Sequence, residues 1–164
     1  MRSISTPPSP NKRIALIGAT PVHVGPIASR MRAADRVECA AMGHSPRQAL
    51  RAGLLSSSLC LTATVDGRPE AMFGLVVTNA LFGEGSPWML GSDAIYRHPR
   101  TMLRWGPHIL STMFDSTPML ENLVAEDNHR AVRFLKRIGF TIGKEVIMIA
   151  GTRFIPFTQE RADV

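Results

Sequence analysis

The stretch from Leu59 to Val77 constrains this chain more than any other. In "LCLTATVDG", Leu59, Leu61, Ala63 and Val65 fall on one face while Cys60, Thr62 and Thr64 fall on the other, the two-residue period of a strand. Asp66-Gly67 is a hairpin turn signal, and "PEAMFGLVV" beyond it supplies the antiparallel partner. A domain containing this hairpin must bury a sheet face against other elements, and the flanking sequence supplies helices to cover it.

Before the hairpin, "RIALIG" reads as a short strand ending at Gly18. The Gly18–Gly25 segment has too few glycines, at the wrong spacing, for a nucleotide loop. "PIASRMRAADRVECAAM", Pro26 to Met42, reads as one helix with Pro in its first turn and Gly43 past its end. Ser45 caps a second helix that has Pro46 at its first position. After the hairpin, Gly83, Gly85 and Pro87 mark a turn before "WMLGSDAIY", a third strand of this group.

Pro99 then opens "PRTMLRWGPHILSTMF", a helix that Gly106-Pro107 is expected to bend or break. "MLENLVAEDN" reads as a strand, "TIGKEVIMIA" as another and "TRFIPFT" as a short last one. The helix between them, "NHRAVRFLKRIGF", has Asn128 as N-cap and Ala131, Phe134, Leu135 and Ile138 on its apolar face, with Gly139 as its stop. The organisation expected is a tail over 1–13, one α/β (α+β) domain over 14–158 and a C-terminal tail over 159–164. About six or seven strands and about four helices follow from this reading.

Composition supports a folded unit: 164 residues, 45% hydrophobic, suffice for one core. Nineteen Lys and Arg against thirteen Asp and Glu give a net charge of +6. The arginines are scattered, which fits a solvated surface better than a nucleic-acid groove, so a nucleic-acid partner rests on net charge alone. Cys39 and Cys60 are expected to be free, mostly buried thiols. "IALIGA" is too short to span a membrane, and the Pro-rich start is unlike an export signal. His23, His44, His98, His108 and His129 lack metal-ligand spacing, so no metal site is expected. Trp88 and Trp105 read as core or interface anchors.

The helix "NHRAVRFLKRIGF" resembles the N-x-x-A-x-x-F-Y-x-K-x-G-F signature of the GNAT superfamily of acyl-CoA N-acyltransferases, with Asn128, Ala131, Phe134, Lys136, Gly139 and Phe140 in matching places. The element order is similar too. The resemblance implies a mixed, mostly antiparallel sheet with a V-shaped split between its fourth and fifth strands. It also implies acetyl-CoA as cofactor, held by Ile95, Arg97, Arg100, Thr101, Asn128 and Phe134.

Two departures stand beside the match. Leu135 occupies the position of a tyrosine that many members use as general acid, and a leucine has no proton to give. The pyrophosphate loop, glycine-rich in the family, is "YRHPRTMLRW" here. Without glycine the Cβ atoms crowd the backbone, and Pro99 removes one N–H, leaving Arg97, His98 and Arg100 to meet a phosphate by side chain.

A catalytic base for an amine would come from Asp93 or Glu121, with Glu126 nearby, the carboxylates expected closest to the split. Asp35 and Glu38, spaced i, i+3, are expected to form surface ion pairs with Arg32 and Arg36. A narrower resemblance, carried by "SPWMLGSDAIY", "ENLVAEDNHRAVRFLKRIGF" and "GTRFIPFT", is to the small GNAT-like internal virion proteins of short-tailed phages. It implies a virion or assembly role through other virion proteins or self-association, and a location in the virion or the host cytoplasm rather than outside the cell. The alternative it leaves open is an active N-acetyltransferase.

Overall fold

The computed structural model describes residues 13–162. In chain order it contains β1 (Ile14–Gly18), a 3-10 turn (Pro21–His23), α1 (Val24–Ser29), α2 (Ala33–Ala41), α3 (Pro46–Ser56), β2 (Leu59–Val65), β3 (Arg68–Asn79) and β4 (Glu84–Gly91). A second 3-10 turn (Ile95–Arg97) leads to α4 (Pro99–Phe114), β5 (Met119–Ala125), α5 (His129–Arg137), β6 (Thr141–Ile142), β7 (Ile147–Ile149) and β8 (Thr152–Glu160). The sheet order is β1-β2-β3-β4-β5-β8-β6, with β7 also paired to β8. All pairings are antiparallel except β4 with β5.

The hairpin forms as its residues dictate: Asp66 (φ 51°) and Gly67 (φ 78°) both take the left-handed conformation that a two-residue turn requires. Strand alternation divides the core between the two faces. Met72 packs with Ile27, Met31, Cys39 and Leu50 under α1–α3. On the other face Phe73 packs with Ile95 and Met102, while Leu75, Leu110, Leu120, Val124 and Phe157 form the cluster beneath α4 and α5. Leu50, Leu75 and Leu120 are almost fully buried, each contributing about 1.5–3 kcal/mol. Phe140 meets Phe157 edge to face, centroids 5.0 Å apart.

The structure corrects several expectations. The single helix over Pro26–Met42 is two, α1 and α2, because Met31 bridges to Ser92 and the Arg32 N–H donates to the Gly91 carbonyl, drawing the chain out of the helical ladder. The strand expected over "WMLGSDAIY" ends at Gly91, where Ser92 and Asp93 turn the chain into the 3-10 segment that carries Ile95. Ser92 Oγ there contacts Glu70 and accepts from the Ala94 N–H. Gly106-Pro107 does not interrupt α4; Pro107 is exposed, so water can serve the Leu103 carbonyl left without its N–H.

"TIGKEVIMIA" is split into β6 and β7. Both pair with β8, on either side of Pro156, whose carbonyl accepts from Gly143 but which has no N–H with which to continue the ladder. Among the described residues, eight strands and five helices therefore replace the expected numbers. β8 runs through Glu160, two residues into the segment read as a tail; residues 1–12 of the expected N-terminal tail lie outside the described residues.

Ser45 caps α3 as expected, its Oγ accepting from the Gln48 N–H while Gln48 returns a bond to the Ser45 N–H. Farther along α3, Gly53 lies against the Trp88 indole, and a Cβ there would sit 2.4 Å from ring carbon Cζ2. Trp88 has little room to yield, because its Nε1–H donates to Ser57 Oγ at 2.8 Å. Gly53→Ala is expected to destabilise the fold by about 1–3 kcal/mol, read as a lower urea midpoint, even though alanine is the better helix former.

Candidate functional site

β4 and β5 pair only at their starts, Glu84 with Met119 and Gly85 with Leu120. Just beyond, side chains replace the ladder: Asn122 Nδ2 donates to the Pro87 carbonyl and Ser86 Oγ to the Glu121 carbonyl, each at 2.9 Å. Farther along the strands separate, and each needs partners for the backbone groups on its open side.

Those partners come from α2 at the far end of the split. Asp35 Oδ2 accepts from the Gly91 N–H at 2.9 Å, and Glu38 Oε1 accepts from the Ala125 N–H at 2.9 Å. Arg32, just before α2, joins the two sides: Nη1 donates to Asp35 Oδ1 at 2.8 Å and Nη2 to Asn128 Oδ1 at 3.0 Å. Asn128 Nδ2 extends the chain of hydrogen bonds by donating to Glu38 Oε1 at 2.9 Å. The Arg32 guanidinium lies 4.3 Å over the Tyr96 ring, a cation–π contact.

Between these two ends lies the free edge of β4. Both the N–H and the carbonyl of Gly91 are turned away from β3, toward Asp35 and Arg32. Alternation along an antiparallel pair then directs the N–H and carbonyl of Met89, two residues earlier, into the split as well. A cavity of about 540 Å³ fills this space. Met102, Trp105, Phe134 and Leu135 line it on the side of α4 and α5, and Asp35, Glu38, Cys39 and His44 line it on the side of α2 and α3. It therefore passes through the sheet and meets both layers of helices. Its walls are mainly apolar, with polar groups at both ends, Ser86 and Asn122 where the strands meet and Asp35, Glu38 and Asn128 where they have parted, a mixture found in small-molecule sites.

Of the residues expected to hold a cofactor, Ile95, Asn128 and Phe134 line the cavity; Arg97, Arg100 and Thr101 do not. Arg97 and His98 instead border a second hollow of about 310 Å³ with Asp66 and Arg68. Asn128 makes no side-chain cap for α5, because both ends of its amide are engaged by Arg32 and Glu38. The expected bases Asp93 and Glu121, with Glu126, are not among the residues that line the cavity. Glu121 is exposed, Asp93 is 63% exposed and 4.0 Å from Arg32 Nε, and Glu126 pairs with Arg153 at 2.7 Å.

The carboxylates at the split are Asp35 and Glu38. Asp35, read as a surface residue, is 4% exposed. Its i, i+4 spacing from Cys39, which shares its helix face, was the available sign of burial. Desolvation pushes the Asp35 carboxyl up to about 6, with the Arg32 charge and the Gly91 N–H opposing and nearby Glu38 adding to the rise. Burial likewise pushes the Cys39 and Cys60 thiols up to about 11; both are free, Cys39 buried and Cys60 half-buried. Tyr96 is also raised, chiefly by burial, so its phenol stays protonated. Trp88 and Trp105, read as anchors, both line the cavity. Among the described residues, no three metal-ligating side chains gather, and no helix is long and apolar enough to cross a membrane.

No protein-family model and no curated protein sequence matches the chain. Solved structures do. Ard1 from Thermoplasma volcanium superposes with a TM-score of 0.68 at 13% identity, covering 92% of this chain and 99% of that one. The aminoglycoside acetyltransferase AAC(6')-Ib in complex with coenzyme A gives 0.64 at 15% identity, covering 91% and 95%. Ribosomal-protein-S5-alanine acetyltransferase from Vibrio fischeri gives 0.61 at 14% identity, covering 93% and 94%. At such identities the likeness is one of fold. The fold is the GNAT fold, with the parallel, splaying β4–β5 pair where its split belongs.

Two stability measurements test the network. Glu38→Ala would strand the Ala125 N–H and the Asn128 amide, an expected loss of about 1–3 kcal/mol in urea unfolding. Asp35 supplies a pH signature. Its folded value, about 6, exceeds the unfolded 3.8, so the folded state binds more protons between them. The stability it contributes is fully present below the unfolded value and is lost as pH rises through about 6. Relative to Asp35→Asn, the wild-type urea midpoint should therefore fall across that window.

Proposed function

We propose that this protein is a GNAT-fold N-acyltransferase that takes an acyl-pantetheine thioester, acetyl-CoA first among them, into the split and passes the acyl group to an amine. The observation that carries this reading is the cavity that joins both helical layers through the separated strands. Two reactants entering from opposite faces can meet there, with most of the entropy of encounter already spent.

The residues fit one part of acetyl-CoA better than the other. Met89 offers a split-facing N–H and carbonyl with which an extended amide chain pairs as a strand would. Met102, Trp105 and Phe134 form an apolar slot beside it. Bound there, acetyl-CoA supplies an activated thioester acyl group. The nucleotide end meets less: Pro99 opens α4 without an N–H, leaving the first-turn donors of Arg100 and Thr101 and the Arg100 side chain. Leu135 brings no proton to the cavity, while Tyr96, which carries a phenol, is among the residues that line it.

A second reading, a phage virion or assembly component acting through protein contacts, is supported by the glycine-free junction before α4 and by the exposed Leu81 and Phe82 at the β3–β4 turn, 87% and 71% accessible. Its partners would be other virion proteins or further copies of this chain. The purified protein co-sedimenting with virion particles would support it.

Calorimetry with acetyl-CoA and with acetyl-pantetheine decides the first reading. Saturable binding of both is expected, with acetyl-CoA favoured by no more than about tenfold, about 1.4 kcal/mol, since the phosphates meet no backbone cradle. Absence of binding for both would overturn it.

A further inference from the structure

Positive charge is scattered along the sequence but not around the fold. α4 and α5 carry Arg100, Arg104, Arg130, Arg133, Lys136 and Arg137, and neither contains an Asp or Glu. Nineteen cations less these six leave thirteen against thirteen carboxylates, so the two helices hold a charge equal to the whole net +6. We infer that the outer face of α4 and α5 binds the phosphodiester backbone of a nucleic-acid duplex without reading its sequence. This surface is independent of acyl transfer.

The fold turns all six cations outward. Both helices cover the same face of the sheet, and they pack closely: a Cβ on Gly106 would sit 2.7 Å from Ile138 Cγ2. Met102, Gly106, Leu110 and Met113 of α4 are buried, and Ala131, Phe134, Leu135 and Ile138 of α5 pack against the core clusters. At about 3.6 residues per turn, the cations of both helices fall on the opposite side, where each is exposed.

Helix stability does not account for this arrangement. Lys136 and Arg137 suit the C-terminal end of α5, but Arg100 and Arg130 lie in first turns, where the helix dipole disfavours a cation and neither helix has an acidic residue. Arg100 with Arg104, and Arg133 with Arg137, are like-charge i, i+4 pairs, which weaken a helix. The ion pairs among the described residues use Arg30, Arg32, Arg68 and Arg153 and none of the six. Of the neighbouring carboxylates, Asp93 lies beside Arg32, Glu126 pairs with Arg153, and Glu38 accepts from Ala125 and Asn128. Asp115 follows α4, and Asp127 precedes α5. A bound polyanion offsets the repulsion these leave.

Five of the six cations are arginine, whose planar guanidinium meets phosphate oxygens with two parallel donors. None of the exposed large apolar side chains among the described residues lies on α4 or α5, so the face has nothing to insert into a lipid layer. Trp105, Phe114 and Phe134 are turned to the core or the cavity, which leaves no ring outside to stack on unpaired bases. Duplex backbone fits these properties. The phosphates of an acyl-CoA would engage only the helix starts, whereas Arg104, Arg133, Lys136 and Arg137 lie about one to two turns farther along.

Fluorescence anisotropy of the full chain with labelled DNA and RNA duplexes of about 20 base pairs tests the assignment. Saturable binding is expected, with affinity falling about a hundredfold between about 50 and 200 mM salt if about four phosphates are met. Arg104→Glu combined with Arg133→Glu should weaken binding at least about tenfold while the urea midpoint holds or rises, because like-charge repulsion is relieved. Arg47→Glu combined with Arg51→Glu makes the same change in net charge on the exposed side of α3. At about 100 mM salt, where charges more than about 10 Å away are screened, that pair should change affinity by less than about threefold.

Absence of duplex binding at about 50 mM salt, or equal weakening by the two pairs, would overturn the inference. So would binding to phosphatidylserine vesicles or to polyglutamate as tight as that to duplexes. Loss of acetyl-CoA binding in the Arg104→Glu, Arg133→Glu pair, with duplex binding retained, would assign these cations to the acyl donor and overturn it as well.

Discussion

A sheet that splits in the middle leaves two strand ends with backbone donors and nothing beside them. In this protein the Gly91 and Ala125 N–H groups are in that position, and α2 meets both with carboxylates, Asp35 and Glu38. The Arg32 guanidinium ties those carboxylates to Asn128 at the start of α5. One buried network thereby links β4, β5 and two helices, and the separation of the strands depends on it. A hydrogen-bonded ladder would close the gap and remove the cavity, whereas unpaired ends would cost the full desolvation of two amides.

The network also explains why α1 and α2 are separate helices. For Asp35 to reach Gly91, the chain must leave α1 and run briefly beside the end of β4, as the Met31–Ser92 bridge and the Arg32–Gly91 hydrogen bond record. The cost of burying the Asp35 carboxyl in this setting appears as a rise from its ordinary value. Groups so perturbed are often those a site uses, and here Asp35, with Glu38 beside it, gives a mainly apolar cavity its one acidic wall.

Local signals in the sequence carried much of the fold. Alternation from Leu59 to Val77, the Asp66-Gly67 turn and the Ser45 cap each act over a few residues, and each appears in the structure. The helix from His129 and the order of elements pointed to the GNAT fold. What could not be read locally was set by distant partners. Met31 is drawn toward Ser92, and Pro156 divides "TIGKEVIMIA" from across the sheet. The candidate site suffered most from this. Asp35 and Glu38 look like surface residues until β4 and β5 are seen to end beside them, and Asn128 looks like a cap until Arg32, 96 residues away, takes its side-chain oxygen. Asp93 and Glu121 were placed near the split by strand order alone, which does not say toward which side a carboxylate turns.

Amide hydrogen exchange, resolved residue by residue, tests the central claim most directly. If α2 supplies the partners at the open ends while the middle of β4 stays free, the Gly91 and Ala125 amides should exchange as slowly as ladder amides. The Met89 amide should exchange much faster and become protected when acetyl-pantetheine is added. Fast exchange at Gly91 and Ala125, or a Met89 amide already protected in the free protein, would contradict the account.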